Sequence, residues 1–147
     1  MTTSGAEFIY NQNSVFNSLF DVRFNLTYTD AEITENALNP EIENENFPRI
    51  PDWRSNLLVT YRYNHAVNLN TSVRYASNSY NELDNSDRAS NVFGAQDEFL
   101  FVNLKANWKV TEYAKIGAGI DNVFNEEAYV FHPWPSRTLF LEGRYTF

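Results

Sequence analysis

Residues 19–30 read LFDVRFNLTYTD, and their parity decides the fold class. Phe20, Val22, Phe24, Leu26 and Tyr28 fall on even positions, and Asp21, Arg23, Asn25, Thr27 and Thr29 on odd ones. Side chains of an extended strand alternate between two faces, whereas those of a helix return to one face every third or fourth residue. Five successive apolar–polar alternations therefore describe a β-strand with one apolar and one polar face.

The same period recurs on both sides of this stretch. Residues 6–10 alternate as Ala6, Phe8 and Tyr10 against Glu7 and Ile9, a short first strand, and Asn11–Ser18 reads as a polar turn. Trp53–Tyr63 sets Leu57, Val59, Tyr61 and Tyr63 against Leu58, Thr60 and Arg62. Across a short turn near His65, Val67–Ala76 sets Leu69, Thr71, Val73 and Tyr75 against Asn68, Asn70, Ser72 and Arg74, which predicts a hairpin. Phe99–Trp108 and Tyr113–Phe124 form a second pair around the turn Lys109–Glu112. The last stretch, Ser136–Phe147, reads SRTLFLEGRYTF and alternates Leu139, Leu141, Tyr145 and Phe147 with Thr138, Glu142, Arg144 and Thr146; Phe140 is the one apolar intruder. An apolar, aromatic end in mid-strand needs either a protein core or lipid around it. The expectation is an all-β chain, an antiparallel up-and-down meander of about seven strands.

Long connections span 31–52, 77–96 and 125–135, and short ones lie near 65 and 111. In a meander, alternate connections share one end of the sheet, so the long loops crowd one rim and the short turns the other. The first long loop holds five glutamates and prolines at 40, 48 and 51, which argues against a central strand. At about 20 residues it exceeds ordinary loop length, so it is either functional or disordered, with a solvated acidic loop as the plainer alternative.

Composition narrows the environment. A formal net charge of −8 argues against a nucleic-acid partner, which requires a basic face. There is no Cys, which excludes disulfides, thiolate metal sites and cysteine nucleophiles. No apolar run approaches the roughly 18 residues of a transmembrane helix. The start, MTTSGAEFIYNQNS, lacks the basic and apolar segments of a secretory signal peptide. Two environments suit a sheet with one apolar face: a small soluble barrel or sandwich with that face inward, or an outer-membrane barrel with that face to lipid. Aromatic residues make up 16% of the chain and gather at strand ends. Tyr63, Trp108, Tyr113, Tyr145 and Phe147 lie toward the short-turn rim, and Tyr28, Tyr75 and Phe124 toward the long-loop rim. Amphipathic rings prefer membrane interfaces, strands of about ten residues span a bilayer when tilted, and long loops on one rim are usual for such barrels.

Four stretches in order carry a family resemblance: FNLTYTDAEITEN, FPRIPDWRSNLLVTYRY, the run Asp121-Asn122-Val123-Phe124-Asn125 with Glu126 and Glu127, and the closing PSRTLFLEGRYTF. Together they resemble the C-terminal part of the barrel of TonB-dependent outer-membrane receptors, and the similarity runs over most of the chain. The resemblance implies a bacterial outer-membrane protein that imports a scarce nutrient such as an iron-siderophore, vitamin B12, a metal or a glycan, powered by TonB through an N-terminal region. Family members are barrels of about 22 strands with an N-terminal plug. By that likeness residues 1–147 are one partial barrel domain with no plug and no TonB-contacting motif. Its implied partners are outer-membrane lipid, the remaining strands and plug, and the barrel-assembly machinery, which reads a final strand whose aromatic positions match Tyr145 and Phe147. About seven strands are an odd number and below the eight of the smallest single-chain barrels. The chain therefore reads as a truncated frame, a separately made segment, or a chain that needs partners to close.

No carboxylate pair stands in a catalytic context and no glycine-rich phosphate loop occurs, so an enzyme is not expected. His65 and His132 lie far apart without metal-ligand spacing, and neither a metal nor a cofactor is expected. Gly117 and Gly119 read as easing packing or twist. The candidate ligand-binding residues are Tyr129, Phe131, His132 and Trp134 in YVFHPWPSR, whose rings suit stacking on a ligand at the outer rim; the alternative is that they anchor the last loop at the interface. Arg23, Arg62, Arg74 and Arg144 are expected to pair with Asp21, Asp121 and Glu142 on the polar wall.

Overall fold

The computed structural model describes residues 1–147. Seven strands, β1 (Thr2–Ser14), β2 (Phe20–Glu32), β3 (Trp53–Arg62), β4 (Val67–Ala76), β5 (Phe99–Lys109), β6 (Ala114–Asp121) and β9 (Thr138–Tyr145), form one antiparallel sheet in chain order. Inside the last long loop, β7 (Tyr129–Val130) and β8 (His132–Pro133) make a small hairpin that sequence alternation did not reveal. The sheet is a meander whose two edges, β1 and β9, do not meet.

Strand register carries each parity across the sheet. Tyr10, Phe24, Leu57, Val73 and Val102 are successive cross-strand partners in one row. Phe20, Tyr61, Leu69, Ala106, Ala118 and Leu141 form another. A one-residue slip anywhere would move a strand's apolar set to the wrong face, so these continuous rows fix the register. Aromatic pairs reinforce it on the apolar face: Phe20 stacks on Tyr61 at 4.9 Å and Tyr28 packs on Trp53 at 4.7 Å.

Nothing covers the apolar face. Leu139 and Leu141 are 73% and 78% exposed, and Phe8 and Trp108 are more than half exposed. Burying one large apolar side chain contributes about 1.5–3 kcal/mol, which water would forfeit at every such position. Only 10 of the 147 residues are buried, and the buried apolar ones, Ala31, Ile33, Ile42, Ala76, Ala95, Phe101 and Ala128, lie in the long loops or at the strand ends beneath them. The interior of this chain is thus a plug of loop contacts at one rim, not a core between sheets. An open sheet without an enclosed apolar cavity does not favour the soluble-barrel alternative.

Three strands depart most from the sequence-based expectation. β1 runs from Thr2 to Ser14 rather than over 6–10, because Asn11 and Gln12 still pair with Arg23 and Val22. Its connection to β2 runs over residues 15–19, with positive φ at Ser14, Phe16, Asn17 and Ser18. β6 stops at Asp121, short of Phe124, because Asn122 turns left-handed at φ 53°. β9 begins at Thr138 and ends at Tyr145.

β6 has gaps that its neighbours fill. Gly117 faces Glu142, and Gly119 faces Phe140, across the β6–β9 pair. A Cβ on Gly117 would lie 2.7 Å from Glu142 Oε1, and one on Gly119 would collide with the Phe140 ring and come within 3.0 Å of the Leu104 carbonyl oxygen. With no side chains on β6 in the way, β9 reaches across it to β5. Lys105 Nζ lies 2.7 Å from Glu142 Oε1 and 5.8 Å from the centre of the Phe140 ring. Phe140 is thus the cover of a glycine, the reason an apolar ring stands on the polar face of the last strand. The expected ion pairs are corrected here: Glu142 takes Lys105 rather than an arginine, and of the four arginines only Arg62 pairs with a carboxylate, that of Asp21.

Gly119→Val should cost about 1–3 kcal/mol through this overlap. The thermal midpoint in detergent, followed by circular dichroism, should fall, and Phe140→Ala in the same chain should recover part of the loss. A wild-type midpoint for Gly119→Val would mean that β9 does not bridge β6.

Candidate functional site

The three long loops form one hydrogen-bonded layer. Asn85, 3% exposed, accepts the Asn46 N–H at 2.9 Å and donates to the Asn46 carbonyl oxygen at 3.0 Å, tying the second loop to the first. Arg49 adds its N–H to the Tyr80 carbonyl oxygen at 2.7 Å and its Nε to Asn81 Oδ1 at 2.6 Å. The second and third loops meet at Asp97, which accepts the Tyr129 N–H at 2.7 Å and donates its own N–H to the Tyr129 carbonyl oxygen at 2.8 Å. Gly94 donates to the Phe131 carbonyl oxygen, and Phe131 to that of Ala95, both at 2.8 Å. The first loop is therefore attached to the second by hydrogen bonds along its length.

Asn122 holds the base of the third loop. It is 3% exposed, donates its N–H to Asn103 Oδ1 at 2.8 Å, accepts the Glu126 N–H at 2.8 Å, and donates Nδ2 to the carbonyl oxygens of Glu126 and Pro135 at 2.8 and 3.2 Å. Asn125 accepts the Arg137 N–H at 2.9 Å. Both asparagines have φ near 55°, a conformation that asparagine tolerates better than most residues. The Asp-Asn-Val-Phe-Asn run is thus a latch closing the two ends of the loop on each other.

The four aromatic candidates divide into two groups. Phe131 sits at the apex of the β7–β8 turn, 42% exposed, with His132 edge-on at 5.0 Å and the Arg49 guanidinium 5.3 Å from its ring. Tyr129 and His132 both pack against Phe93 of the second loop, at 5.6 and 6.3 Å, and Phe93 is 73% exposed. Tyr129, Phe131 and His132 thereby form one surface patch with Phe93 and Arg49. Trp134 turns the other way, onto the polar face of the sheet. It lies nearly parallel to Phe101 at 5.0 Å and Phe99 at 6.0 Å, with the Arg74 guanidinium 5.1 Å from its ring. The sequence does not single out Phe93, Arg49, Phe99 and Phe101, and Arg74, expected on the polar wall beside a carboxylate, lies over the Trp134 ring instead. For Phe99 and Phe101 a signal existed, because both fall on the polar parity of β5.

Charge is divided as sharply as polarity. Residues 31–52, 77–98 and 122–137 hold thirteen acidic and three basic side chains, net −10, against −8 for the whole chain. The rest of the molecule is therefore weakly basic. Within the second loop, the Ser86 hydroxyl and backbone N–H hold the Asp84 carboxyl below its ordinary range, so this turn is secured near neutrality and released as acid protonates it. Tyr145 projects from the apolar face opposite Ala114, with the Phe147 ring 5.2 Å away, both exposed at the short-turn rim.

Residues 1–123 match the model of a family described as TonB dependent receptor-like, beta-barrel. No curated protein matches the chain. Among solved structures, the siderophore receptor PiuA from Acinetobacter baumannii superposes with a TM-score of 0.79 at 15% identity, over 97% of this chain and 21% of that one. The ferric yersiniabactin uptake receptor FyuA from Yersinia pestis gives 0.81 at 16% identity, over 99% and 23%. The closed form of the ferric-catecholate import receptor Fiu from E. coli K12 gives 0.78 at 18% identity, over 99% and 21%. The chain spans about a fifth of the length of these proteins, and the likeness is one of fold.

Asn122→Ala removes three hydrogen bonds made by one buried side chain and leaves alanine at a left-handed φ. Unsatisfied buried groups cost about 1–3 kcal/mol each. Amide exchange at Glu126 and protease cleavage within 122–137 should accelerate by at least about tenfold, with exchange in β2–β4 unchanged. Unchanged exchange at Glu126 would dismiss the latch.

Proposed function

The chain belongs to the TonB-dependent receptor-like β-barrel family, and from this premise we propose that it forms part of the wall and outer vestibule of a receptor that imports a scarce nutrient across the bacterial outer membrane. An iron-siderophore is the substrate class in view, since the solved structures it resembles include a siderophore receptor and a ferric-catecholate import receptor. Residues 1–147 are one partial barrel domain, completed by further strands and a plug, and TonB acts through a region N-terminal to them. The role is transport rather than catalysis.

The observation that carries this reading is the unbroken apolar face, seven strands wide and uncovered, backed by a polar face over which the third loop folds. The apolar face meets lipid, with Tyr63, Trp108, Tyr113, Tyr145 and Phe147 at one interface. The polar face lines the lumen. Tyr129, Phe131 and His132, with Phe93 and Arg49, offer ring faces and one guanidinium to an incoming ligand at the rim; Trp134 and Arg74 offer the same chemistry on the wall. Stacking and cation–π contacts suit a flat, electron-rich or anionic ligand. Tyr145 and Phe147 present the assembly machinery with two rings at the end of the last strand.

Two measurements test the reading at different depths. In a brominated detergent, single-tryptophan variants retaining Trp53 or Trp108 should be quenched strongly, and the variant retaining Trp134 weakly; equal quenching of all three would remove the lipid-facing assignment. Calorimetric titration with ferric siderophores should show binding that weakens several-fold in Phe131→Ala and His132→Ala. Binding by wild type and both variants alike would place the ligand elsewhere.

A further inference from the structure

Two arginines halfway up the polar face have no anionic partner in the chain. Arg23 on β2 and Arg74 on β4 form no ion pair and donate no hydrogen bond, whereas Arg62 on the same face pairs with Asp21 and donates to the Ser18 carbonyl oxygen at 2.9 Å. Asp21 lies two residues from Arg23 but is held by Arg62 and by the Ser14 N–H at 2.9 Å. Arg23 stands opposite Leu58 on β3, and Arg74 stands opposite Asn56, one polar position nearer the long-loop rim. Two strand spacings and two residue rises put their Cα atoms roughly 12 Å apart, so both side chains reach the ground between them. In a chain of net charge −8, two like charges left to repel each other across one gap call for an anion.

The ground between them describes that anion. Both arginines line a cavity of about 410 Å³ that has no carboxylate on its walls. Asn25, in the same cavity, accepts the Asn56 N–H at 3.0 Å and Asn56 Nδ2 at 3.1 Å on its Oδ1, which leaves its own Nδ2 as a further free donor. Ile9 and Leu58 also line the cavity, 58% and 37% exposed. Each breaks the polar parity of its strand, as Phe140 does, but neither covers a glycine: Ile9 faces Asn25, and Leu58 faces Arg23. An aliphatic island ringed by donors suits an anion that carries a short branched hydrocarbon tail. A bare phosphate would leave Ile9 and Leu58 in water. An aromatic ligand finds its stacking partners above this site, on Trp134 and at the rim. The Arg74 guanidinium, 5.1 Å from the centre of the Trp134 ring, joins the two regions. A guanidinium stacked by its face keeps its N–H edge for a carboxylate.

We propose that this stretch of the lumenal wall is a second ligand site, separate from the aromatic patch at the rim, that takes a small aliphatic carboxylate. The carboxylate sits between Arg23 and Arg74, and the tail lies on Leu58 and Ile9. The proposal rests on the lumenal assignment of the polar face made above, and adds a site and a ligand class that ring stacking does not select. Occupancy relieves the repulsion between the two guanidiniums and takes two exposed aliphatic side chains out of water.

The test uses the full chain in detergent micelles, in the variant that keeps Trp134 alone, whose emission reports on the guanidinium beside it. Four probes are compared: 4-methylpentanoate, 4-methylpentanamide, acetate and inorganic phosphate. The first should change Trp134 emission saturably, and the other three should bind about tenfold or more weakly, for want of either the charge or the tail. Arg23→Gln should weaken 4-methylpentanoate about tenfold and flatten its salt dependence. Leu58→Thr should weaken it several-fold with the salt dependence kept. Neither residue belongs to the Trp134 stack, so a lost response is lost binding. Arg23→Gln should melt no lower than its parent, since it removes an uncompensated charge, which separates lost binding from lost folding. Equal binding of the amide or of phosphate, a response that rises with 4-methylpentanoate without saturating, or unchanged affinity in both variants would each overturn the proposal. Brominated-detergent quenching of the same samples separates these failures from failure of the lumenal assignment: weak quenching of Trp134 without carboxylate binding rejects the second site alone, and strong quenching rejects the assignment beneath it.

Discussion

Backbone pairing under a lipid constraint governs the rest of this molecule. A bilayer interior offers no hydrogen-bond partners, so every N–H and carbonyl crossing it must be paired within the protein. A meander of neighbouring antiparallel strands meets that demand with short inner turns, and its period of two sorts side chains onto two faces at once. The apolar rows through Phe24 and Leu141 and the asparagine-rich rows behind them are two consequences of one geometry. Stability in such a wall comes from lipid contact and cross-strand pairs rather than from a packed interior, which is why so few side chains are buried and why those few lie in the loops.

The loops follow a different logic. Outside the bilayer, water competes for every polar group, and order must come from specific partners. Asn85 with Asn46 and Asp97 with Tyr129 each satisfy backbone groups of another loop, and Asn122 satisfies those of Glu126 and Pro135 within its own, much as strand pairing does. Each uses a short polar side chain that tolerates tight turns. The result is a layer in which the first loop is held by the second and the second by the third, and in which the net negative charge is concentrated.

What was legible in the residues was whatever depends on neighbours one or two positions away. Parity alone bounds β4 at Val67–Ala76, and β2 and β3 to within two residues, because parity is local. The polar half of β1 looks like a turn until Asn11 and Gln12 find Arg23 and Val22. The β7–β8 hairpin, the Asn122 latch and the Lys105–Glu142 pair could not be read, because each depends on a partner made adjacent only by folding. Phe140 shows the difference well: in the sequence it breaks a pattern, and in the sheet it covers Gly119. Among the candidate ligand contacts, the sequence grouped Trp134 with Tyr129, Phe131 and His132 by proximity, and the fold parts them.

The order of the sheet has an arithmetic consequence. With seven antiparallel strands, β1 and β9 both run from the long-loop rim to the short-turn rim. Bending the sheet round on itself would bring two strands together pointing the same way, and so would a ring of identical copies arranged head to tail. Antiparallel closure therefore requires a complement with an odd number of strands, the first and last of which run in the opposite direction. Parity, usually a property of side chains along a strand, here becomes a rule for how a whole wall can be completed.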